Sequence, residues 1–383
     1  MPKAPVAKSS KPFVVPALGE RERQFASIIW RRAGGIGRRE IHQLTGVHPT
    51  LTGNAVGALI ESGLVREGTP PPTTDRGRPQ VPVEIDPKRR SFLGLSISPG
   101  QARLVRVDPT GEPIAEEISK RVARDARLID AAANMLAENV DASVFGIGIS
   151  FTGVVDPAAH AMLFSSSLPS SSAISLDPLY TAARGIPVVL HNDMHALALR
   201  WLMTDPTGGA GDVLLVGLDD GRLGASVLID GKPHRGSVSA ANELGHMRLA
   251  VETDRCYCGQ VGCLERIVST PQLARFGDRS GSSFEAALQS NVNGPLTTVL
   301  DHLTTGLANA VNFIRPAKLV LASPLVRHGA LKDYIALELP PRVLPGLRER
   351  LELVFVEQPN VQSAENAAWL ALADVFGQTM QTT

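Results

Sequence analysis

The stretch 243–265, ELGHMRLAVETDRCYCGQVGCLE, decides how the body of this chain is read. All three cysteines of the protein, Cys256, Cys258 and Cys263, fall within eight residues of it, and His246 precedes the first by ten. Three thiolates and an imidazole complete a tetrahedral Zn2+ site; four protein ligands leave no open position for catalysis, so the metal would be structural. Gly259 and Gly262 allow the tight turns that such close spacing demands. A redox pair is the other reading of C-x-C, and the third cysteine and the histidine disfavour it. An odd, small number of cysteines excludes a disulfide-built secreted scaffold and points to a reducing cytoplasm.

Polar residues without an obvious structural need surround this knot. Glu243 lies three residues before His246, and Glu265 two after Cys263. Upstream, GIPVVLHND (185–193) is an apolar strand ending in Asn192 and Asp193. Carboxylates at strand ends face the crevice of an α/β sheet, where ligands bind. Asp and Asn together accept from and donate to vicinal hydroxyls, as a sugar requires. The same pair before the helical run 194–203 equally suits an N-cap. Further out, 91–98, 102–108 and 112–119 form a strand meander, followed by a helix at 128–139 and a strand at 144–150. After Asp212 the cycle restarts with strands at 213–219 and 225–230, as a duplicated αβ unit would give.

The 383 residues balance 38 Lys+Arg against 38 Asp+Glu, a formal charge of zero. The balance conceals a partition: through Arg90 there are 15 basic and 8 acidic residues, net +7, and the remainder is net −7. A basic module of polyanion-binding character is therefore joined to an acidic body. Within it, 1–19 is Pro-, Ser- and Lys-rich and reads as a flexible tail. Phe25, Ile28, Ile29 and the stem of Arg32 give a first helix to about residue 33; 38–44 gives a second, and 49–62 a third. Leu51, Ala55, Leu59 and Ile60 are expected to be the buried face of the third. Thr45-Gly46-Val47-His48 supplies the turn of a helix-turn-helix, and LVREG and QVPVEID flank a β-wing.

A trihelical segment alone equally suits a small structural bundle. Three features favour double-stranded DNA. The third helix is expected to expose Thr50, Thr52 and Asn54 near its N-terminus, where a major groove is read. Arg76 and Arg78 in the wing can lie along phosphates or in a narrow minor groove, and Arg38 and Arg39 open the second helix. Hydrophobic residues at 43% describe a globular chain of two or three domains; aromatics at 4% argue against a surface that stacks many bases. No apolar run approaches the length of a membrane span, so no membrane partner is expected.

On Glu243 to Glu265, with HND, VLIDGKPHRG and AKLVLASPL at fitting intervals, the chain resembles the ROK family of repressors, open reading frames and sugar kinases. The likeness covers nearly everything from Arg21 onward, and the N-terminal winged helix-turn-helix matches its repressor branch. The resemblance implies an α/β fold: a winged helix-turn-helix followed by a two-lobed, actin-like (ribonuclease-H-like) ATPase domain. It implies a small-molecule sugar in the cleft between the lobes, lined by Asn192, Asp193, Glu243, His246 and Glu265, with Asp193 the base of kinase members. The expected division is a tail at 1–19, the winged helix at 20–88, a first lobe at 89–195 completed by a helix over 362–378, and a second lobe at 196–361.

The chain departs from the kinase branch at three phosphate contacts. The D-x-G of the first strand reads Ser96-Ile97-Ser98. T-G-I-G-A-G reads Gly221 to Ser226 with Arg222 at a glycine position, and a G-G pair falls in Ala322-Ser323-Pro324. A Cβ keeps backbone N–H groups from phosphate, and proline removes a donor. Asn242 and Ser167 also replace a usual glycine and asparagine of the sugar side. The expectation is a cytoplasmic transcriptional regulator without kinase activity, a repressor of carbohydrate genes acting on operator DNA as a homodimer or dimer of dimers. An active hexose kinase and a ligand-independent regulator with a vestigial cleft are the alternatives.

Overall fold

The computed structural model describes residues 12–70, 81–123, 125, 127–165, 173–205, 211–236, 242–278, 283–290, 294–358 and 360–377. The chain divides into two compact units, Met1–His191 with Ser363–Thr383, and Asn192–Gln362. The division falls four residues before the expected end of the first lobe, so Asn192 and Asp193 belong to the second unit.

The first unit begins with helices α1 (Glu20–Trp30), α2 (Arg38–Thr45) and α3 (Pro49–Ser62) and strands β1 (Ile36–Gly37), β2 (Val65–Glu67) and β3 (Pro82–Ile85). The strands form an antiparallel sheet in the order β1-β3-β2. Phe25, Ile29, Ile41, Val56 and Leu59 are fully buried among the three helices. Two expectations fail here. The Arg32 side chain is more than half exposed, near Glu40, and Leu51 is 43% exposed while Val56 takes the buried position. The first turn of α3 extends past its packing partners, so the period that fits the rest of the helix does not govern it. Residues 12–19, expected within a flexible tail, run as an extended strap. The Phe13 N–H donates to Arg184 O at 2.8 Å, and the Arg184 guanidinium stacks over the Phe13 ring at 4.3 Å.

The body of this unit carries β4 (Ser91–Ser98), β5 (Gln101–Val107), β6 (Ile118–Arg121), α4 (Arg127–Asn139), β7 (Val144–Phe151), a small sheet of β8 (Val154–Asp156), β9 (Ala161–Phe164) and β10 (Ile174–Ser175), then α5 (Asp177–Ala182) and β11 (Val188–Asn192). Its main sheet runs β11-β7-β4-β5-β6. The third strand of the meander is shorter and later than expected, because Asp108 Oδ1 accepts from the Thr110 and Glu112 N–H groups and holds a long turn. On one face lies the C-terminal helix Ala364–Phe376, buried nearly all round. It packs backbone to backbone: a Cβ on Gly94 would lie 2.0 Å from Ala364 O, and one on Gly148 1.8 Å from Ala367 O. Its far side seats α1. The Trp30 ring meets Trp369 edge-on at 5.9 Å and stacks near Phe376 at 6.5 Å, Trp30 Nε1 donates to Pro109 O at 3.0 Å, and Arg23 pairs with Asp374 at 2.7 Å. The basic trihelical module is thus docked on the lobe.

The second unit holds α6 (Asp193–Thr204), β12 (Val213–Asp219), β13 (Arg222–Ile229), β14 (Lys232–Pro233), α7 (Leu264–Ile267), α8 (Thr270–Arg275), α9 (Phe284–Ser290), α10 (Pro295–Ile314), β15 (Lys318–Ser323), α11 (Gly329–Glu338), α12 (Pro345–Arg348) and β16 (Glu352–Glu357). Its sheet runs β14-β13-β12-β15-β16, with β12 antiparallel to β13 and parallel to β15. Reversed, this is the order of the first sheet: each unit places its first strand centrally, a meander to one side and later strands to the other. The duplication expected from the strand pattern is present. No helix among the described residues is long and apolar enough to cross a membrane.

Candidate functional site

The candidate metal-ligand set is assembled by short local turns. Gly259 and Gly262 adopt φ of +88° and +85°, a region that a side chain strains. The Cys256 N–H donates to Gln260 O, the Gly259 N–H to Cys256 O and the Leu249 N–H to Gly262 O, closing the loop onto the segment after His246. The ligand atoms of His246, Cys256, Cys258 and Cys263 all lie within 4.8 Å of one another. Cys256 Sγ is 3.6 Å from His246 Nδ1, and Cys258 Sγ is 3.6 Å from Cys263 Sγ. A tetrahedron with metal–sulfur bonds of about 2.3 Å and a metal–nitrogen bond of about 2.0 Å has edges of about 3.5–3.8 Å. The donor set and its spacing fit a metal ion.

His246 presents its two ring nitrogens to different neighbours. Nδ1 faces the thiols, while Nε2 is 3.8 Å from Glu243 Oε2. One ring can therefore ligate a metal and line the carboxylate cluster. That cluster is electrostatically coupled. Burial pushes the Glu265 carboxyl up to about 7, with Glu243 and Asp193 adding to the shift while Arg266 and the Leu223 N–H oppose it. Glu243 is raised by the protein around it and by the Asp193 charge. A carboxyl near 7 can donate to a hydroxyl as well as accept from one. Asn192 does cap α6, its Oδ1 accepting from the Met194 N–H at 2.8 Å; the simpler reading of that residue is realised alongside its place beside Asp193. Asn242, in place of the usual glycine, sits at φ +76° with its Nδ2 donating to His234 O. Asparagine tolerates this left-handed region better than other side chains, so the change keeps the turn.

Two residues of this site were not picked out from the sequence. Tyr257 stands between two metal-site cysteines, edge-on to His246 at 5.0 Å, with the Arg266 guanidinium over its ring. Burial and the surrounding carboxylates raise its pKa, which keeps the phenol a donor. Its position between two candidate ligands was the available signal. Gln362 donates from Nε2 to Asp193 Oδ2 at 3.0 Å and accepts from the Arg222 guanidinium at 2.7 Å. Nothing in the local pattern marks it.

Two of the three phosphate-loop departures have a local structural use. Arg222 opens β13 and reaches Gln362, while Gly224 lies where a Cβ would meet the Met194 side chain at 2.6 Å. Ser323 caps the following 3-10 turn, its Oγ accepting from the Leu325 N–H at 3.0 Å. In the first unit, Ser96 and Ser98 are buried at the end of β4.

On the basic module, Gly46 ends α2 at φ +67° and His48 caps α3, its Nδ1 accepting from the Thr50 N–H. Thr50, Asn54 and Arg39 are exposed. Arg38 pairs with Glu67 at 2.8 Å. Thr52 corrects the expectation of an exposed base-reading side chain: it is 1% exposed, and its hydroxyl donates to Val47 O and His48 O. It holds the turn instead. Arg76 and Arg78, and Ser167, lie outside the described residues.

The model of the ROK family matches residues 107–374. The DNA-binding transcriptional repressor Mlc of Escherichia coli (strain K12) is 25% identical over 368 residues, 88% of this chain and 89% of that protein. A putative xylose repressor of Caldicellulosiruptor sp. (strain Rt8B.4) is 26% identical over 75% of this chain and 79% of its own length. The crystal structure of a ROK family transcriptional regulator, a homolog of the E. coli Mlc protein, superposes with a TM-score of 0.74 at 23% identity, covering 94% of this chain and 98% of that one. With the family pattern spanning both units and the His/Cys cluster brought together as its spacing suggests, this chain belongs to the ROK family.

Proposed function

We propose that this protein is a cytoplasmic, sugar-responsive transcriptional repressor that binds operator DNA through α3 of a winged helix-turn-helix and does not phosphorylate its sugar. The observation that carries the reading is the exposed polar arc of α3, with Thr50 and Asn54 following a tight turn on a module of net charge +7. The similarity to Mlc over nearly the whole chain supports it. Asn54 can pair bidentately with adenine, and Arg38, Arg39, Arg76 and Arg78 supply phosphate or minor-groove contacts. A homodimer, or a dimer of dimers, matches two half-sites.

Asn192, Asp193, Glu243, His246 and Glu265 hold a sugar or sugar-derived effector, with Tyr257 at their edge. His246 Nδ1, Cys256, Cys258 and Cys263 hold a structural zinc. Such an ion supplies positive charge and four fixed bonds; the chain's own contribution is to aim the His246 Nε2 edge and Glu265 toward the effector. The Arg222–Gln362–Asp193 chain supports loss of catalysis, because the would-be base already accepts from an amide that an arginine holds in place. Hexose-dependent ATP turnover in a coupled assay is expected to stay at background; turnover abolished by Asp193→Asn would restore the kinase reading.

The decisive experiment measures DNA affinity against salt. Full-length protein is incubated with fragmented genomic DNA, bound fragments are sequenced, and a selected duplex is titrated by anisotropy. A dimer touching about six phosphates loses about 10³-fold in affinity between 50 and 200 mM salt. Asn54→Ala is expected to relax preference at one base position by about 1–3 kcal/mol without changing that slope. Absence of any enriched duplex, or a flat salt response, sinks the proposal.

A further inference from the structure

The exposed arc of α3 carries one large hydrophobic side chain. Leu51, in the first turn, is 43% exposed. It lies beside exposed Thr50 and three residues before exposed Asn54. The helix is seated by buried Ala55, Val56 and Leu59, and the turn before it is closed by Thr52. A single exposed leucine is ordinary on a protein surface, and Leu44, 42% exposed at the end of α2, is one such. Position separates the two. Leu51 stands among the N-terminal residues of the helix that, in a helix-turn-helix, meet base edges.

Thr50 and Asn54 can exchange hydrogen bonds with a base; Leu51 can neither donate nor accept. Laid over N7, O6, N6 or N4 of a base, it would strip water from a polar group and return nothing. The major groove carries one apolar group, the C5-methyl of thymine, and burying that methyl against leucine is favourable. We infer that Leu51 reads a thymine methyl, at a position adjoining the base that Asn54 contacts. The inference rests on the DNA-binding reading above and adds a specificity determinant to it.

The test uses the full chain and a duplex selected from a random pool. Each thymine of the selected site is replaced singly by deoxyuridine, which removes only the methyl. At one thymine per half-site the wild-type protein is expected to weaken about four-fold, the value of one buried methyl group. Leu51→Ala, which places a strong helix former at an exposed position, is expected to bind the thymine and uracil duplexes alike. Leu44→Ala removes an equally exposed leucine and is expected to keep the full thymine preference. If every thymine tolerates uracil, or if Leu51→Ala remains as methyl-sensitive as the wild type, the assignment of Leu51 is overturned while DNA binding stands. If no duplex is enriched, the DNA-binding reading falls and this one with it.

Discussion

Gly148→Ala is expected to destabilise the first unit strongly. The added Cβ would lie 1.8 Å from Ala367 O and 2.8 Å from Ala367 C, both backbone atoms of the C-terminal helix. No rotamer change relieves a clash between backbones. The helix must therefore retreat by more than an ångström from β7, and with it from β4, where Gly94 makes the same close approach. Retreat uncovers Ala367, Ala368, Leu370 and Ala371, all buried. It also unseats Trp30 from Trp369 and Phe376, so the basic module loses its dock. Overpacking costs about 1–3 kcal/mol and more where backbone must move, a large share of the roughly 5–15 kcal/mol by which a domain is stable. Soluble yield and thermal unfolding measure it. Gly346→Ala is the control, since a Cβ there meets nothing within 4 Å, and its effect should stay within about 0.5 kcal/mol. A Gly148→Ala protein melting within a degree or two of the wild type would refute the backbone-to-backbone packing of helix and sheet.

Cys263→Ser is expected to lower the melting temperature of the second unit and to remove the bound metal. Cys263 is fully buried and lies between Gly262, whose N–H donates to Thr253 Oγ1, and Leu264, which packs against Gly306. Binding free energy of a structural zinc is folding free energy for the loop that it organises. The loss should be about 3 kcal/mol or more, or about 6–12 °C for a domain of this size. Effector binding should fail well below the new melting point, because Glu265 and His246 take their orientation from the same loop. Metal analysis of protein purified without chelator, calorimetry, and a thermal-shift screen against hexoses, amino sugars and their phosphates read the three parts separately. A wild-type protein free of metal, together with a Cys263→Ser variant of unchanged melting temperature, would leave the cluster without a structural role.

How much was legible in advance depended on how far apart in the chain the interacting residues lie. The three helices of the basic module and most strands of both sheets were readable because 3.6- and 2-residue periods are local properties of burial. The His/Cys cluster was readable because three of its members lie within eight residues. Even locally the period misleads where a helix outruns its partners: it places Leu51 inward and Thr52 outward, and the structure reverses both. A threonine hydroxyl that shares its proton between two turn carbonyls is better buried there than a leucine that would overhang solvent. The strap at 12–19 was invisible for another reason. Its hold on the lobe is a Phe13–Arg184 contact across most of the first unit, which composition does not reveal.

The sequence by itself therefore determined the order of elements, the duplicated body, the partition of charge at Arg90 and the grouping of four candidate metal ligands, since each follows from neighbours in the chain. Tertiary structure alone decided what those elements do to one another. Gln362 reaches Asp193 across 169 positions and Arg222 across 140. Trp30 finds Trp369 and Phe376 at the opposite end of the chain. Such pairings are chosen by the shape and hydrogen-bonding capacity of surfaces that exist only once the sheets have formed, and no local period carries that information.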